Sequence, residues 1–259
     1  MKQQFLRAVE RGDARAAAEG GGMGRAAGLA GVVLCGGRSS RMGRPKAWLP
    51  FGGEVLLQRV VRRLAEVAWP IVVVAAPEQE LPPLPEGVLV VRDPVEGRGP
   101  LQGIAVGLEA VAPHAGRAYV SSTDAPFLEP AFVRRLADLQ AGGYAIAVPR
   151  AEGHHHPLGA VYACAVRGEA AALLAADRLR MSFLFERART LVAEPELLLA
   201  DPRLREADPD LRSLRNLNTP EEYAAALREL EGDTAALREL AGDAGTRGGG
   251  AGTRGGGAG

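Results

Sequence analysis

Four short apolar runs, each ending in small, polar or turn-forming residues, constrain this chain more than any other feature. They are AGVVLC at 30–35, IVVVAA at 71–76, VLVV at 88–91 and AYVSS at 118–122. Runs of this length bounded by turn signals read as strands, and their near-continuous apolar character means burial on both faces. Between them lie segments with helical spacing. Residues 54–68 (EVLLQRVVRRLAEVA) set basic residues between apolar positions, and further helices are expected at 101–112 and 130–141. Strands at 144–149 and 159–164 follow, then helices from about 168 to 188. A last helix begins after NTPEE at 218–222, with Thr219 as N-cap and Pro220 at the first helical position. This alternation predicts an α/β fold with a mostly parallel central sheet and helices on both faces, of the Rossmann-like type. Ligands of such sheets sit at the carboxyl ends of the strands, so the loops after residues 35, 91 and 122 are where function is expected.

Composition narrows the chemistry. Apolar residues make up 47% and aromatics only 5%, so the core must be built mainly of Ala, Val and Leu. Lys plus Arg equal Asp plus Glu at 31 each, which gives no global pull toward nucleic acid or an anionic membrane. Phosphate binding then requires a local site. Cys35 and Cys164 form neither a disulfide framework nor a zinc pattern, which suits a reducing cytoplasm. No apolar stretch approaches the roughly 20 residues that span a bilayer. Residues 1–28 lack an apolar signal core and read as a disordered extension, with Met23 as an alternative start. The repeats ALREL (226–230 and 236–240) and AGTRGGG (244–250 and 251–257) make 234–259 a low-complexity tail expected to be disordered. The folded domain is expected over 29–233.

The first strand runs into LCGGRSSRMGRPK at 34–46. Its small residues let the backbone turn tightly and aim N–H groups at one point, and Arg41 and Lys46 add two cations. That combination suits a triphosphate, with arginine as a fork and lysine as a movable point charge. The spacing fits neither a Walker loop nor G-x-G-x-x-G. The bland alternative is a glycine-rich surface turn with incidental basic residues.

The same residues carry a resemblance. LCGGRSSRMGRPK resembles the signature L-[AC]-G-G-x-S-x-R-M-G-x-x-K of the molybdenum cofactor nucleotidyltransferases. The resemblance implies a nucleotide lying against Leu34, Cys35, Gly36 and Gly37, with Arg41 and Lys46 on its phosphates. DPVEGRGPLQG at 93–103 is similar to the family segment that lines the nucleotide pocket, with Asp93 on the nucleoside side and Pro100, Leu101 and Gly103 along it. VSSTDAPFLEP at 120–130 looks like the family metal site and implies Mg2+ on Asp124. RNLNTPEEY at 215–223 implies Asn218 as a second metal contact and Asn216 as a partner of the acceptor. HHHPLGAVY at 154–162 puts His156 near the acceptor, with His154 and His155 solvated. Cys35 reads as a small core residue, not a nucleophile. Simple turn or cap roles are the alternatives for Asp93, Asp124, Asn216 and Asn218.

The resemblance spans roughly 29–230. It implies transfer of GMP from GTP to the terminal phosphate of molybdopterin, with catalysis by Arg41, Lys46 and Asp124. The implied partners are GTP and molybdopterin, and a molybdoenzyme or chaperone for hand-over of the product, with no nucleic acid or membrane. One residue departs from the pattern: GTP-using members often carry Asn just after the second strand, where this chain has Ala75. CTP-dependent cytidylyl transfer, transfer to another small-molecule phosphate, and a non-catalytic carrier role are the competing readings.

Overall fold

The computed structural model describes residues 28–36, 45–95 and 97–232. The expected N-terminal extension, Met23, the tail from 234, and Gly37 and Arg41 of the glycine-rich loop lie outside the described residues. The chain divides into two compact units, meeting between Asn216 and Leu217.

The first unit is organised by β1 (Leu29–Leu34), buried at all six positions. It pairs in parallel with β4 (Ile71–Ala75) on one side and β6 (Arg117–Ser122) on the other. Strand β5 (Leu89–Arg92) extends the sheet in parallel beyond β4. On the other side β9 (Gly159–Ala163) runs antiparallel between β6 and β7 (Ile146–Ala151), and β10 (Thr190–Ala193) closes the edge parallel to β7. The order is β10-β7-β9-β6-β1-β4-β5, with the short β8 (His154–His155) paired to β7. The expected α/β class and mostly parallel sheet are borne out.

Period-two alternation divides the core. Leu29 and Val33 join Val73 and Tyr119 on one face, under α1 (Leu56–Ala65) and α3 (Pro130–Ala141). Ala30, Val32 and Leu34 join Val72, Val74 and Val120 on the other, under α2 (Gly99–Val111) and α4 (Arg167–Ala175). Helix α1 buries Leu56, Leu57, Val60, Val61 and Leu64, the apolar stripe read from the sequence. Helix α2 lies very close to the sheet. A Cβ built on Gly107 would meet Val32 Cγ1 at 2.4 Å, and one on Gly103 would meet Leu34 Cδ1 at 3.0 Å.

Several expected boundaries move. The helix expected from 54 begins at Leu56, because Glu54–Val55 (β3) pairs with Pro50–Phe51 (β2) in a hairpin. Gly52 and Gly53 take φ of 63° and 82°, the positive values that a two-residue turn of this type needs. The strand expected at 144–149 runs from Ile146 to Ala151. The segment 168–188 resolves into α4 and α5 (Met181–Arg187). Short α6 (Pro195–Leu199) and α7 (Pro202–Ala207) follow β10.

The second unit is described over 217–232, with helix α8 at 220–232. Glu222 N donates to Thr219 Oγ1 at 3.2 Å, and Glu222 Oε2 accepts from Thr219 N at 3.1 Å. This reciprocal capping box bears out Thr219 as N-cap.

The two glycines of α2 should respond differently to alanine. Gly107→Ala gains about 1 kcal/mol of helix propensity. It also forces a methyl into the packed side chain of Val32, so a net loss of about 1–2 kcal/mol is expected. Gly103→Ala meets only the end of a flexible leucine and should change stability by less than about 1 kcal/mol. Urea unfolding with unchanged m-values checks both.

Candidate functional site

The chain passes from β1 to β4 and β5 on one side and returns to β6 on the other. The ends of β1 and β6 therefore form the point at which strand order reverses, where open α/β sheets bind ligands. Leu34 and Ser122, the last residues of the two strands, are register partners. The pairing continues past them, since Thr123 donates to Leu34 O from both N and Oγ1, each at 3.2 Å. Asp124 thus projects from a fixed strand end.

Lys46 opens a short 3-10 turn, Lys46–Trp48, anchored by buried Ala47 and Leu49. Its Nζ donates to Asp124 Oδ2 at 2.5 Å, with both side chains mostly buried. Two residues singled out by their sequence segments, 78 positions apart, therefore meet directly. The other oxygen, Asp124 Oδ1, accepts from Ser122 Oγ at 2.6 Å. The loop after Asp124 is clamped by helix α1: Arg59 Nε donates to Pro126 O at 2.9 Å and Arg63 Nε to Leu128 O at 3.1 Å. Phe127 meets Phe51 edge-on at 5.7 Å and lies under the guanidinium of Arg212 at 4.4 Å.

Of the residues expected on the nucleoside side, Leu34 and Cys35 are buried and Gly36 follows at the end of β1. Burial pushes the Cys35 thiol up, against weaker opposing contacts from Thr123 and Gln79, which fits the reading of a core residue rather than a nucleophile. Asp93 continues β5 through its N–H to Ala75 O at 2.8 Å. Its Oδ1 accepts from Val95 N at 3.1 Å, so the turn role is real. Two strand spacings separate β5 from β1, or about 10 Å. Pro100 stands in the first turn of α2. Leu101 lies in the core on the α2 face of the sheet, so only its backbone can face a nucleotide, and Gly103 packs on Leu34. Strand β4 includes Ala75, fully buried, which makes Ala76 the first residue after the strand. The departure from Asn holds at either position.

Of the residues expected near the acceptor, His156 and Asn216 line one cavity of about 170 Å³ together with Pro157, Leu158, Ser213 and Leu214. Tyr162 Oη donates to Pro157 O at 2.8 Å and pins this turn. Burial holds the His156 imidazole below its ordinary value, against an opposing hydrogen bond with the Ala151 backbone. His154 and His155 are exposed as expected, though the His155 ring also lies 5.4 Å from Phe185. Asn216 Oδ1 stands 3.5 Å from Ser122 Oγ, which links the cavity to the Asp124 carboxylate. Asn218 belongs to the second unit, where its N–H donates to Glu222 Oε2 at 2.6 Å.

Sequence reasoning missed Ser122, Arg59 and Arg63, and also Gln79. Gln79 Nε2 donates to Cys35 O at 3.0 Å, and its Oε1 accepts from Ala76 N at 3.1 Å. For Ser122 the signal was position, a hydroxyl two residues before a strand-end carboxylate. For the others the chain carries no local signal. Among the described residues no group of three or more His, Cys, Asp or Glu gathers as a metal cage. A single hard carboxylate at the strand end does fit magnesium, which takes few protein ligands and fills its shell with phosphate oxygens and water.

The comparisons agree with this layout. Residues 31–191 match the family profile described as "MobA-like NTP transferase domain". A relative from Mycobacterium tuberculosis, named "Probable molybdenum cofactor guanylyltransferase", is 39% identical over 166 residues, covering 63% of this chain and 82% of the relative. One from Mycobacterium avium with the same name is 41% identical over 137 residues, 52% of this chain and 68% of that one. Among solved structures, the molybdopterin-guanine dinucleotide biosynthesis protein A of Archaeoglobus fulgidus superposes with a TM-score of 0.62 at 23% identity, covering 78% of this chain and 98% of that one. The 2-C-methyl-D-erythritol 4-phosphate cytidylyltransferase of Thermus thermophilus gives a TM-score of 0.55 at 18% identity, over 78% and 99%. These two structures speak for the fold alone. The profile match and the sequence relatives together show that the chain belongs to the MobA-like NTP transferase family of nucleotidyltransferases.

Proposed function

We propose that this protein transfers GMP from GTP to the terminal phosphate of molybdopterin and releases pyrophosphate. The observation that carries the reading is the direct Lys46–Asp124 pair at the β1–β6 switch point, linked through Ser122 to a cavity lined by Asn216 and His156. The name shared by the mycobacterial relatives supports guanine as the base and molybdopterin as the acceptor.

In the transfer, an acceptor phosphate oxygen bonds to the α-phosphorus of GTP. The bond from that phosphorus to the bridging oxygen breaks, and pyrophosphate leaves with the electron pair. The nucleophile is already an anion, so no strong general base is required. The protein's task is positioning and neutralisation of charge. Lys46 contributes a movable ammonium at the α-phosphate, and Arg41 is assigned to the leaving pyrophosphate. Asp124 would hold Mg2+, which when bound supplies positive charge to the phosphate oxygens. Asn216 and His156 orient the acceptor end. The imidazole of His156 is neutral near pH 7 because burial disfavours its charged form, so it serves as a hydrogen-bond partner rather than a cation. At about 170 Å³ the cavity is below the range of drug-sized sites and accommodates one end of an acceptor.

Three outcomes test the reading. Purified protein with Mg2+ and molybdopterin should release pyrophosphate from GTP and not from CTP; release from CTP alone would move the chain to cytidylyl transfer. Asp124→Asn should lower that rate by at least about 10³-fold while the melting temperature changes little. His156→Gln should alter the pH dependence of stability. The folded state holds His156 below its ordinary value of 6.5, so protonation favours the unfolded chain, and the stabilisation present above that value is lost as pH falls. The unfolding midpoint of the wild type should therefore fall relative to the variant between pH 7.5 and pH 5.5, in paired thermal melts.

A further inference from the structure

We propose that Ser122 is a positioning residue through which Asn216, on the acceptor side, sets the aim of the Asp124 carboxylate on the nucleotide side; the inference rests on Asp124 holding the divalent ion. The two oxygens of Asp124 have different partners. Oδ2 faces Lys46 at 2.5 Å and Oδ1 faces the Ser122 hydroxyl at 2.6 Å. A serine hydroxyl has one proton, and the short contact to an ionised carboxylate claims it. Asn216 Oδ1 lies 3.5 Å from Oγ, placed to accept from the same hydroxyl, whose single proton is already engaged. The oxygen and nitrogen ends of an amide exchange by a half-turn, so an Asn216 N–H can donate to Ser122 Oγ while Ser122 donates to Asp124. The three residues then form one directed chain of hydrogen bonds.

Burial and backbone make this chain stiff. Ser122 is 7% exposed, so water competes little for its hydroxyl. Its backbone is locked in the ladder opposite Leu34, and Thr123 is tied to Leu34 O just beyond it. The adjacent serine shows the contrast. Ser121 Oγ donates to the backbone carbonyl of Ser122 at 3.3 Å, the local role common for a strand serine. The hydroxyl of Ser122 instead joins two side chains of the site, one from each substrate half. Such a coupling lets an acceptor seated on Asn216 tighten the carboxylate that holds the nucleotide's cation.

The test is a double-mutant cycle read by equilibrium binding of Mn2+, with Mn2+ standing in for Mg2+ and the free ion measured by electron paramagnetic resonance in the presence of GTP. No acceptor or turnover is needed. Ser122→Ala should weaken Mn2+ binding by about tenfold, the loss of one charge-assisted hydrogen bond. Asn216→Ala should weaken it by a few-fold, and the double variant should bind no more weakly than Ser122→Ala alone. Ser122→Thr, which keeps the hydroxyl, should restore most of the affinity. If Ser122→Ala melts early, Ser122→Cys, close in volume but a poor donor, takes its place in the cycle. Effects of Ser122 and Asn216 that simply multiply, or a Ser122→Ala that binds Mn2+ as the wild type does, would overturn the coupling while leaving the proposed transfer intact. A wild type that binds no Mn2+ with GTP would remove both.

Discussion

The burial of β1 on both faces is the constraint from which the rest of the structure follows. Its six residues alternate between two cores, so each face must be covered by helices and each edge by another strand. The chain meets this by going from β1 to β4 and β5 on one side and returning to β6 on the other. The reversal leaves a crevice at the carboxyl end of β1, and that is where Lys46, Asp124 and Ser122 are found. Helix α2 closes tightly on the same strand because Gly103 and Gly107 present no side chain to Leu34 and Val32. One packing requirement thus fixes both the core and the location of the polar groups.

Those polar groups are not there for stability. A partly buried ion pair such as Lys46–Asp124 loses hydration that its mutual attraction roughly repays. What the arrangement secures is direction. The Asp124 carboxylate is held at both oxygens, and the loop behind it is held by Arg59 and Arg63 through backbone carbonyls. Phe127 is fixed between Phe51 and Arg212. In a protein of zero net charge, such local fixing of charge is the route to a phosphate site.

The strongly periodic elements were legible in the sequence. The four apolar runs appear as β1, β4, β5 and β6, and the helix at 130–141 keeps its expected bounds. What escaped was short or tertiary. Strand β10 is four residues at the sheet edge, three of them only half-buried, so its pattern is too weak to stand out. The β2–β3 hairpin has two residues per strand, and its one signal, Gly52-Gly53, sat inside a loop already rich in glycine. In the site, Lys46, Asp124, Asn216 and His156 were found through motifs, while Arg59 and Arg63 looked like the polar side of an amphipathic helix. Their role comes from carbonyls more than 60 positions away, which no local pattern encodes.

The same distinction bears on the base. A protein named for guanine dinucleotide biosynthesis and one named as a cytidylyltransferase share this sheet, so the sheet does not choose between bases. In the proposed function the choice falls to the loops after β4 and β5. After β4 the chain offers only Ala76, and its N–H is taken up by Gln79, whose amide also donates to Cys35 O. Arg92 then reaches from β5 to the carbonyls of Ala76 and Gln79. The result is a wall of backbone held rigid by side chains, in place of the side-chain amide that Asn would supply. In the proposed function Asp93 is the group assigned to base reading. One oxygen serves the turn to Val95, but an ionised carboxylate has about four acceptor positions. Guanine presents two adjacent N–H donors that match a carboxylate, whereas cytosine sets an acceptor nitrogen beside its amino group, which a carboxylate repels. In the proposed function, Asp93 would therefore take the part in reading guanine that an asparagine would otherwise play.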